Sequence, residues 1–135
     1  MARKADSLPD TNVILRYLLR DDPDQFSRAE TFFEKVREGR ERVILLEGVL
    51  VECLYVLTKH YRVAREEAAQ ALAGLLHYKG VANQDKAALV EGVRSFAENT
   101  LDPVDCFLLA RARSGKLPIF SFDKKLNHAA AKPGR

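Results

Sequence analysis

The sequence predicts a small α/β domain in which helices cover both faces of a short, mostly parallel central sheet. Short apolar runs typical of strands, such as residues 43–46 and 118–122, alternate with longer segments whose apolar residues recur every three or four positions. Such alternation favours a three-layer α/β/α sandwich. At 135 residues, 47% of them hydrophobic, the chain has the size and composition of a single domain spanning residues 1–135.

Each expected element follows from its local pattern. Asp102-Pro103 marks a helix start, because Asp can accept from free backbone N–H groups and Pro suits the first helical position. A weak strand is expected at residues 6–9 and a short one around Val81 after Gly80, and residues 126–135 are expected to form a flexible basic tail. The expected helices cover residues 13–19, 24–37, 49–61, 65–77, 86–97 and 102–114.

Charge and cysteine usage narrow the class of protein only partly. The net charge of +3 does not by itself indicate a nucleic-acid partner, although residues 111–135 carry seven basic residues and one acidic residue. That basic end either attracts phosphates or is a solvated face. Cys53 and Cys106 lie in apolar runs and are expected to pack as small hydrophobes in a reducing cytoplasm. No apolar run has the length of a membrane span, and the first ten residues lack the apolar stretch of a signal peptide.

Four carboxylates are candidates for a shared site. Asp10 and Asp123 each follow an expected strand, where the sites of parallel sheets form. Glu52 lies inside an apolar helix, where an unpaired carboxylate would be costly to bury. Asp105 lies in the first turn of the helix that Asp102 is expected to cap. Each acid also has a purely structural interpretation, as a helix cap, a surface turn residue or a partly exposed side chain.

Converging carboxylates would require a cation. Two like charges about 4 Å apart repel by about 4 kcal/mol at an effective dielectric constant near 20. Hard oxygen ligands select Mg²⁺ or Mn²⁺ rather than zinc, and His60, His77 and His128 have no spacing typical of metal ligands. A metal ion held this way can activate water and neutralise charge on a phosphodiester, which makes metal-assisted hydrolysis of a phosphodiester a chemistry that such a site could support.

Three segments resemble the successive motifs of the PIN-domain family, in their order and spacing, and are most similar to VapC-type toxins of toxin–antitoxin pairs. The segments are DTNVILRYLL (10–19), VLVECLYVL (49–57) and DPVDCFLLARARSGKLPIFSFDKKL (102–126). The resemblance implies a PIN-like fold and an endoribonuclease that needs Mg²⁺ or Mn²⁺, is commonly a homodimer and is silenced by a cognate antitoxin protein. It assigns the acidic site to Asp10, Glu52, Asp105 and Asp123, with support from Asn12 and Ser121.

The chain departs from the family pattern at two positions. Pro9 interrupts the stretch before Asp10, where the family usually has an apolar strand, because proline removes a ladder donor. Glu47 stands near a position where a small polar residue is common, so it either adds negative charge to the site or caps the middle helix.

Three alternative functions remain open from the residues alone. The chain could be a PIN nuclease for RNA processing, or a PIN-like binding module without catalysis. A phospho-receiver domain would also be an α/β domain of this length, but it needs an acidic pair after its first strand. Asp10 has no acidic neighbour, and the middle acid, Glu52, lies in a helix.

Overall fold

The computed structural model describes residues 6–132, and helices form most of this part of the chain. All six helices expected from the apolar periodicity are confirmed, with ends that differ by a few residues. The helices are α1 (Thr11–Leu19), α2 (Pro23–Glu38), α3 (Glu47–Tyr55), α4 (Arg65–Leu76), α5 (Lys86–Glu98), α6 (Pro103–Gly115) and α7 (Lys124–Ala131), and a π-helical turn, Val56–His60, continues α3.

The ends of the first two helices show why they form where they do. The carboxylate of Asp10 accepts a hydrogen bond from the backbone N–H of Val13 at the start of α1, and Asp22 does the same for Gln25 at the start of α2. These bonds satisfy backbone donors that have no partner within the helix. Gly39 ends α2 at a φ of 85°, a left-handed conformation that glycine adopts without steric cost.

The expected sheet is reduced to parallel pairing at single positions. Ser7 pairs with Val43, and Val43 pairs with Val81. The Val43 carbonyl accepts from the Ala82 N–H at 2.9 Å, and the Val43 N–H donates to the Gly80 carbonyl at 2.8 Å. The three positions lie in parallel order, as expected, but within residues 6–132 the pairing does not extend into strands.

The expected strand at residues 118–122 is wrong: among residues 6–132, this segment forms no β-bridge. Phe120 and Phe122 are 89% and 92% exposed, so neither aromatic ring contributes to the core. The segment at residues 6–9 offers a poor template for pairing, because it contains one bridging residue and ends in Pro9, which has no N–H to donate. Ile119 and Phe120 favour β structure locally, but they have no neighbouring strand edge to pair with among the described residues.

The last helix replaces part of the expected flexible tail. Helix α7 covers residues 124–131, and Leu126 and Ala129 on its inner face are buried in the main core. The carboxylate of Asp123 accepts from the Leu126 N–H at 2.8 Å and caps the helix. The expectation of a flexible tail is thus wrong for residues 126–131, because the cap and two apolar contacts anchor them; residues 133–135 lie outside the described part of the chain.

One continuous core fixes the helices that carry the candidate acids. Phe33, Phe96 and Phe107 are its largest buried side chains. Helices α5 and α6 approach so closely at Gly92 that a Cβ atom there would collide with the ring of Phe107. Helix α3 packs against both α1 and α6, which brings the acid-bearing helices together. None of the helices in residues 6–132 has the length and apolar character that crossing a membrane requires.

Candidate carboxylate site

Asp10 and Glu52 come from different helices and line one pocket. Asp10 caps α1, Glu52 lies in α3, and Leu15, Val49 and Val56 form the apolar wall between them. The thiol of Cys53 lies close to both acids: burial, followed by the negative charges of Glu52 and Asp10, raises its pKa to about 12. Two residues 42 positions apart in sequence thus share a single electrostatic environment.

Glu52 is exposed, which agrees with the structural interpretation of a partly exposed side chain on an otherwise apolar helix. Its neighbours Val49 and Val56 line the same pocket, and Glu52 itself is accessible to solvent. The α3 helix therefore buries Leu50, Cys53 and Leu54 on its other side without the cost of an unpaired internal charge.

Asp105 and Asp123 form a second pair of acids. The pKa of the partly buried Asp105 lies above its ordinary value, first because of burial, then because of the negative charges of Asp123 and Asp102. Within residues 6–132, Asp105 has no hydrogen bond or ion pair that would offset this repulsion. Asp102 occupies the N-cap position of α6, as expected, but its side chain makes no capping hydrogen bond.

Ser121 shapes the turn that holds Asp123. Its hydroxyl oxygen accepts from the Asp123 backbone N–H at 3.0 Å, and its carbonyl accepts from the Asn127 side chain at 2.8 Å. Ser121 thus supports the backbone of the turn, while the Asp123 carboxylate is engaged by the N-terminus of α7. Asn12 lies on the rim of the pocket that contains Asp10 and Glu52.

The four acids are brought together as two pairs rather than as one closed cluster. Among residues 6–132, no three His, Cys, Asp or Glu side chains lie close enough to hold a metal ion. One oxygen of Asp10 and one of Asp123 are engaged in helix caps, which leaves the second oxygen of each available. The donors fit Mg²⁺ or Mn²⁺ in kind, since all are carboxylate oxygens. Burial, followed by the negative charges of Asp123 and Asp102, raises the pKa of Asp105, and a bound cation would favour its charged form.

Glu47 is neutralised by a residue that sequence analysis had assigned to a basic surface. Arg111 donates to its carboxylate at 2.6 and 3.2 Å and contacts Asp85 at 3.5 Å. Because Arg111 pairs with Glu47, the extra acid near the middle motif does not add an unpaired charge. Glu47 is the first residue of α3 and makes no capping hydrogen bond. The pairing joins positions 64 residues apart, so no local pattern could have indicated it.

Arg65 holds the connection that leads into α6, and sequence analysis missed it. Its guanidinium donates to the carbonyls of Phe96 at 3.1 Å and Leu101 at 2.6 Å, and it stacks over the Phe96 ring at 3.6 Å from the centroid. These contacts fix the turn immediately before Asp102 and Asp105. The only sequence signal was an arginine at the start of an apolar helix, which usually marks a solvated position.

The geometry defines a small, mostly helical domain with isolated parallel pairing and two pairs of acids, three of them at helix starts and Glu52 within α3. A PIN domain model matches residues 7–132, so the chain belongs to the PIN-domain family. A VapC ribonuclease of Aquifex aeolicus (strain VF5) is 24% identical over 119 residues, which cover 87% of this chain and 87% of that relative. No solved structure matches the chain significantly.

Proposed function

We propose that this chain is a divalent-metal-dependent endoribonuclease, the toxin of a toxin–antitoxin pair, that hydrolyses RNA phosphodiester bonds. The observation that carries the proposal is the pocket shared by Asp10 and Glu52, two acids of the PIN motifs contributed by separate helices. Family membership over residues 7–132 and the name of the VapC ribonuclease relative support the same reading.

The site residues have different proposed roles. Asp10 and Asp105 are the proposed primary ligands of Mg²⁺ or Mn²⁺, and Glu52 and Asp123 complete the acidic pocket. The metal ion, when bound, would supply an activated water and neutralise charge on the phosphodiester. Asn12 would orient the substrate at the rim of the pocket, and Ser121 would hold the turn of Asp123 in place.

The proposed biological setting is a cytoplasmic homodimer that a cognate antitoxin silences, with RNA as substrate. A PIN nuclease of RNA processing would use the same site. A non-catalytic PIN-like module is the second candidate, favoured by the finding that, within the described residues, the acids do not close into a three-ligand cluster.

The direct test is cleavage of a single-stranded RNA by the purified chain with Mn²⁺, with and without EDTA. We expect Asp105→Asn to reduce the rate at least about 100-fold, because removing a group that stabilises transition-state charge typically costs that much. The matched control is Asp24→Asn, which removes an acid from the first turn of α2, as Asp105→Asn does from the first turn of α6. Full activity in EDTA would contradict metal dependence, and equal loss in both variants would contradict the assigned role of Asp105.

A further inference from the structure

A second pocket adjoins the carboxylates, between α1 and α2. Its polar wall consists of Asn12, Arg16, Gln25 and Arg28, and Phe32 contributes an aromatic surface. The residues lining it include two arginines and no carboxylate, whereas the neighbouring pocket is lined by Asp10 and Glu52. Asn12 lines both pockets, so the basic and acidic pockets lie next to each other at this residue.

We propose that the α1–α2 pocket binds the nucleotide next to the scissile phosphate of a single-stranded RNA. This inference rests on the proposed function, because it takes the carboxylate pocket as the place of cleavage. Arg28 is the principal phosphate contact, and Phe32 and the amides of Asn12 and Gln25 face the sugar and base. Aromatic surfaces and cationic grooves recur together in proteins that bind single strands.

Arg16 lines this pocket, and two hydrogen bonds hold its guanidinium in place. Its terminal nitrogens donate to Asp21 at 2.9 Å and to the Tyr61 hydroxyl at 3.1 Å. Its Nε atom is buried and has no hydrogen-bond partner within residues 6–132. A buried donor without a partner costs free energy, so the Arg16 side chain keeps one unsatisfied donor in the wall of this pocket. The Asp21 pairing leaves the net positive charge of the pocket to Arg28.

Arg28 is exposed and makes no ion pair within the described residues. By contrast, Arg37 and Arg40, which lie further along the same helix and just beyond its end, are paired with Glu34 and Glu38. An unpaired arginine at the mouth of a pocket without acids complements a phosphodiester better than a neutral or basic protein segment. The charge of the pocket therefore favours an anionic ligand, and Phe32 in the same lining offers the aromatic surface that suits a nucleotide of RNA.

The test is the affinity of a fluorescein-labelled single-stranded RNA hexamer, measured by anisotropy in EDTA at several KCl concentrations. We expect Arg28→Gln to weaken binding about three- to tenfold and to reduce the slope of log K against log salt by about 0.7, the value for one contact on a single strand. Arg28→Lys keeps the charge and should restore most of both. The matched control, Arg40→Gln, removes the same charge beyond the far end of α2 and should leave both unchanged.

The outcomes separate this inference from the proposed function. Equal RNA affinity and salt slope in Arg28→Gln and the wild type would overturn the nucleotide subsite, even if the wild type cleaves RNA with Mn²⁺. Loss of RNA affinity confined to Arg28→Gln would support the subsite, even if no metal ion restores cleavage. If Arg28→Gln instead abolished binding of a protein partner and left RNA affinity intact, the pocket would be a protein-docking groove and the inference would be wrong.

Discussion

Asp105 is the residue whose environment is least compatible with an isolated charge. Its carboxylate is partly buried and lies near the negative charges of Asp123 and Asp102. Burial and these two charges all raise its pKa. A helix N-terminus normally favours a negative side chain by a few tenths to about 1 kcal/mol. The raised pKa indicates that burial and like charges outweigh that benefit here. Such a perturbed acid beside other acids is typical of a functional position.

This environment predicts a specific pH dependence of stability in the metal-free protein. Because the pKa of Asp105 is higher in the folded state than in the unfolded chain, the folded state binds the proton more tightly. The contribution of Asp105 to the free energy of unfolding therefore falls as pH rises from the ordinary aspartate pKa through the raised one. Above this window the penalty is fully present, and below it the penalty is absent.

The measurement is urea unfolding in EDTA at several acidic pH values, comparing the wild type with Asp105→Asn. The free energy of unfolding of the wild type, minus that of the variant, should decrease with rising pH across the window and then stay constant. Asp24→Asn serves as control for a first-turn acid elsewhere. A difference that increases with pH would show that Asp105 is stabilised as a carboxylate in the folded state.

Asp10 and Asp123 illustrate what single residues can and cannot reveal. Sequence patterns predicted a possible cap for Asp10 and a surface turn for Asp123 beside their site roles, and the structure shows that both acids cap helices. The two roles are compatible, because a cap occupies one carboxylate oxygen. The site roles of all four acids remain predictions, since they depend on side-chain convergence that no pattern of spacing along the chain can determine.

Among the secondary-structure elements, helices were predictable because their signals are local. Apolar residues at spacings of three and four, and pairs such as Asp102-Pro103, locate helices without reference to the rest of the chain. Pairing between strands depends on a partner edge, and the segment at residues 118–122 lacks one despite its β-favouring side chains. Helix α7 could also have been predicted from Asp123 as its N-cap and from the apolar Leu126 on its inner face. The basic composition of the tail instead suggested a flexible segment.

Arg65 stabilises the turn before α6 and thereby influences the position of Asp105. We expect Arg65→Met to lower the free energy of unfolding by about 2–3 kcal/mol, because two hydrogen bonds from a charged donor and a cation–π contact are lost. Arg65→Lys should lose less, since the charge remains while the planar fork is absent. Both variants should also weaken Mn²⁺ binding, because the turn before Asp105 is no longer held.

Chemical denaturation and a Mn²⁺ titration of the folded protein together check the Arg65 prediction. The control is Arg94→Met, whose exposed ion pair with Glu91 should contribute less than about 1 kcal/mol. Partial recovery of Mn²⁺ affinity in Arg65→Lys is the signature of a positioning role. If Arg65→Met were destabilised while binding Mn²⁺ like the wild type, Arg65 would support the fold alone.

For the molecule as a whole, the α/β class was predicted from the alternation of short apolar runs with helical periodicity, and the order of the motifs implied the same class. The parallel order of Ser7, Val43 and Val81 agrees with that prediction, whereas an extended sheet is absent from residues 6–132. Long-range partners such as Arg111 and Glu47 were out of reach, because they depend on how α3 and α6 pack. The same packing decides which acids share a pocket, so it also limits what sequence can say about the site.

Metal binding should be visible in the stability of the whole domain, independently of any activity. A ligand that binds only the folded state at ten times its Kd stabilises it by about 1.4 kcal/mol, which corresponds to a rise in Tm of about 4–7 °C for a domain of this size. We expect Mn²⁺ to produce this rise in the wild type and a much smaller one in Asp10→Asn.

Asparagine caps a helix as well as aspartate does, so the Asp10→Asn variant should melt close to the wild type in EDTA. Thermal melts with and without Mn²⁺ provide the measurement, and Asp24→Asn is the control that should respond like the wild type. An equal rise in all three proteins would place the metal ion away from Asp10 and contradict the proposed site.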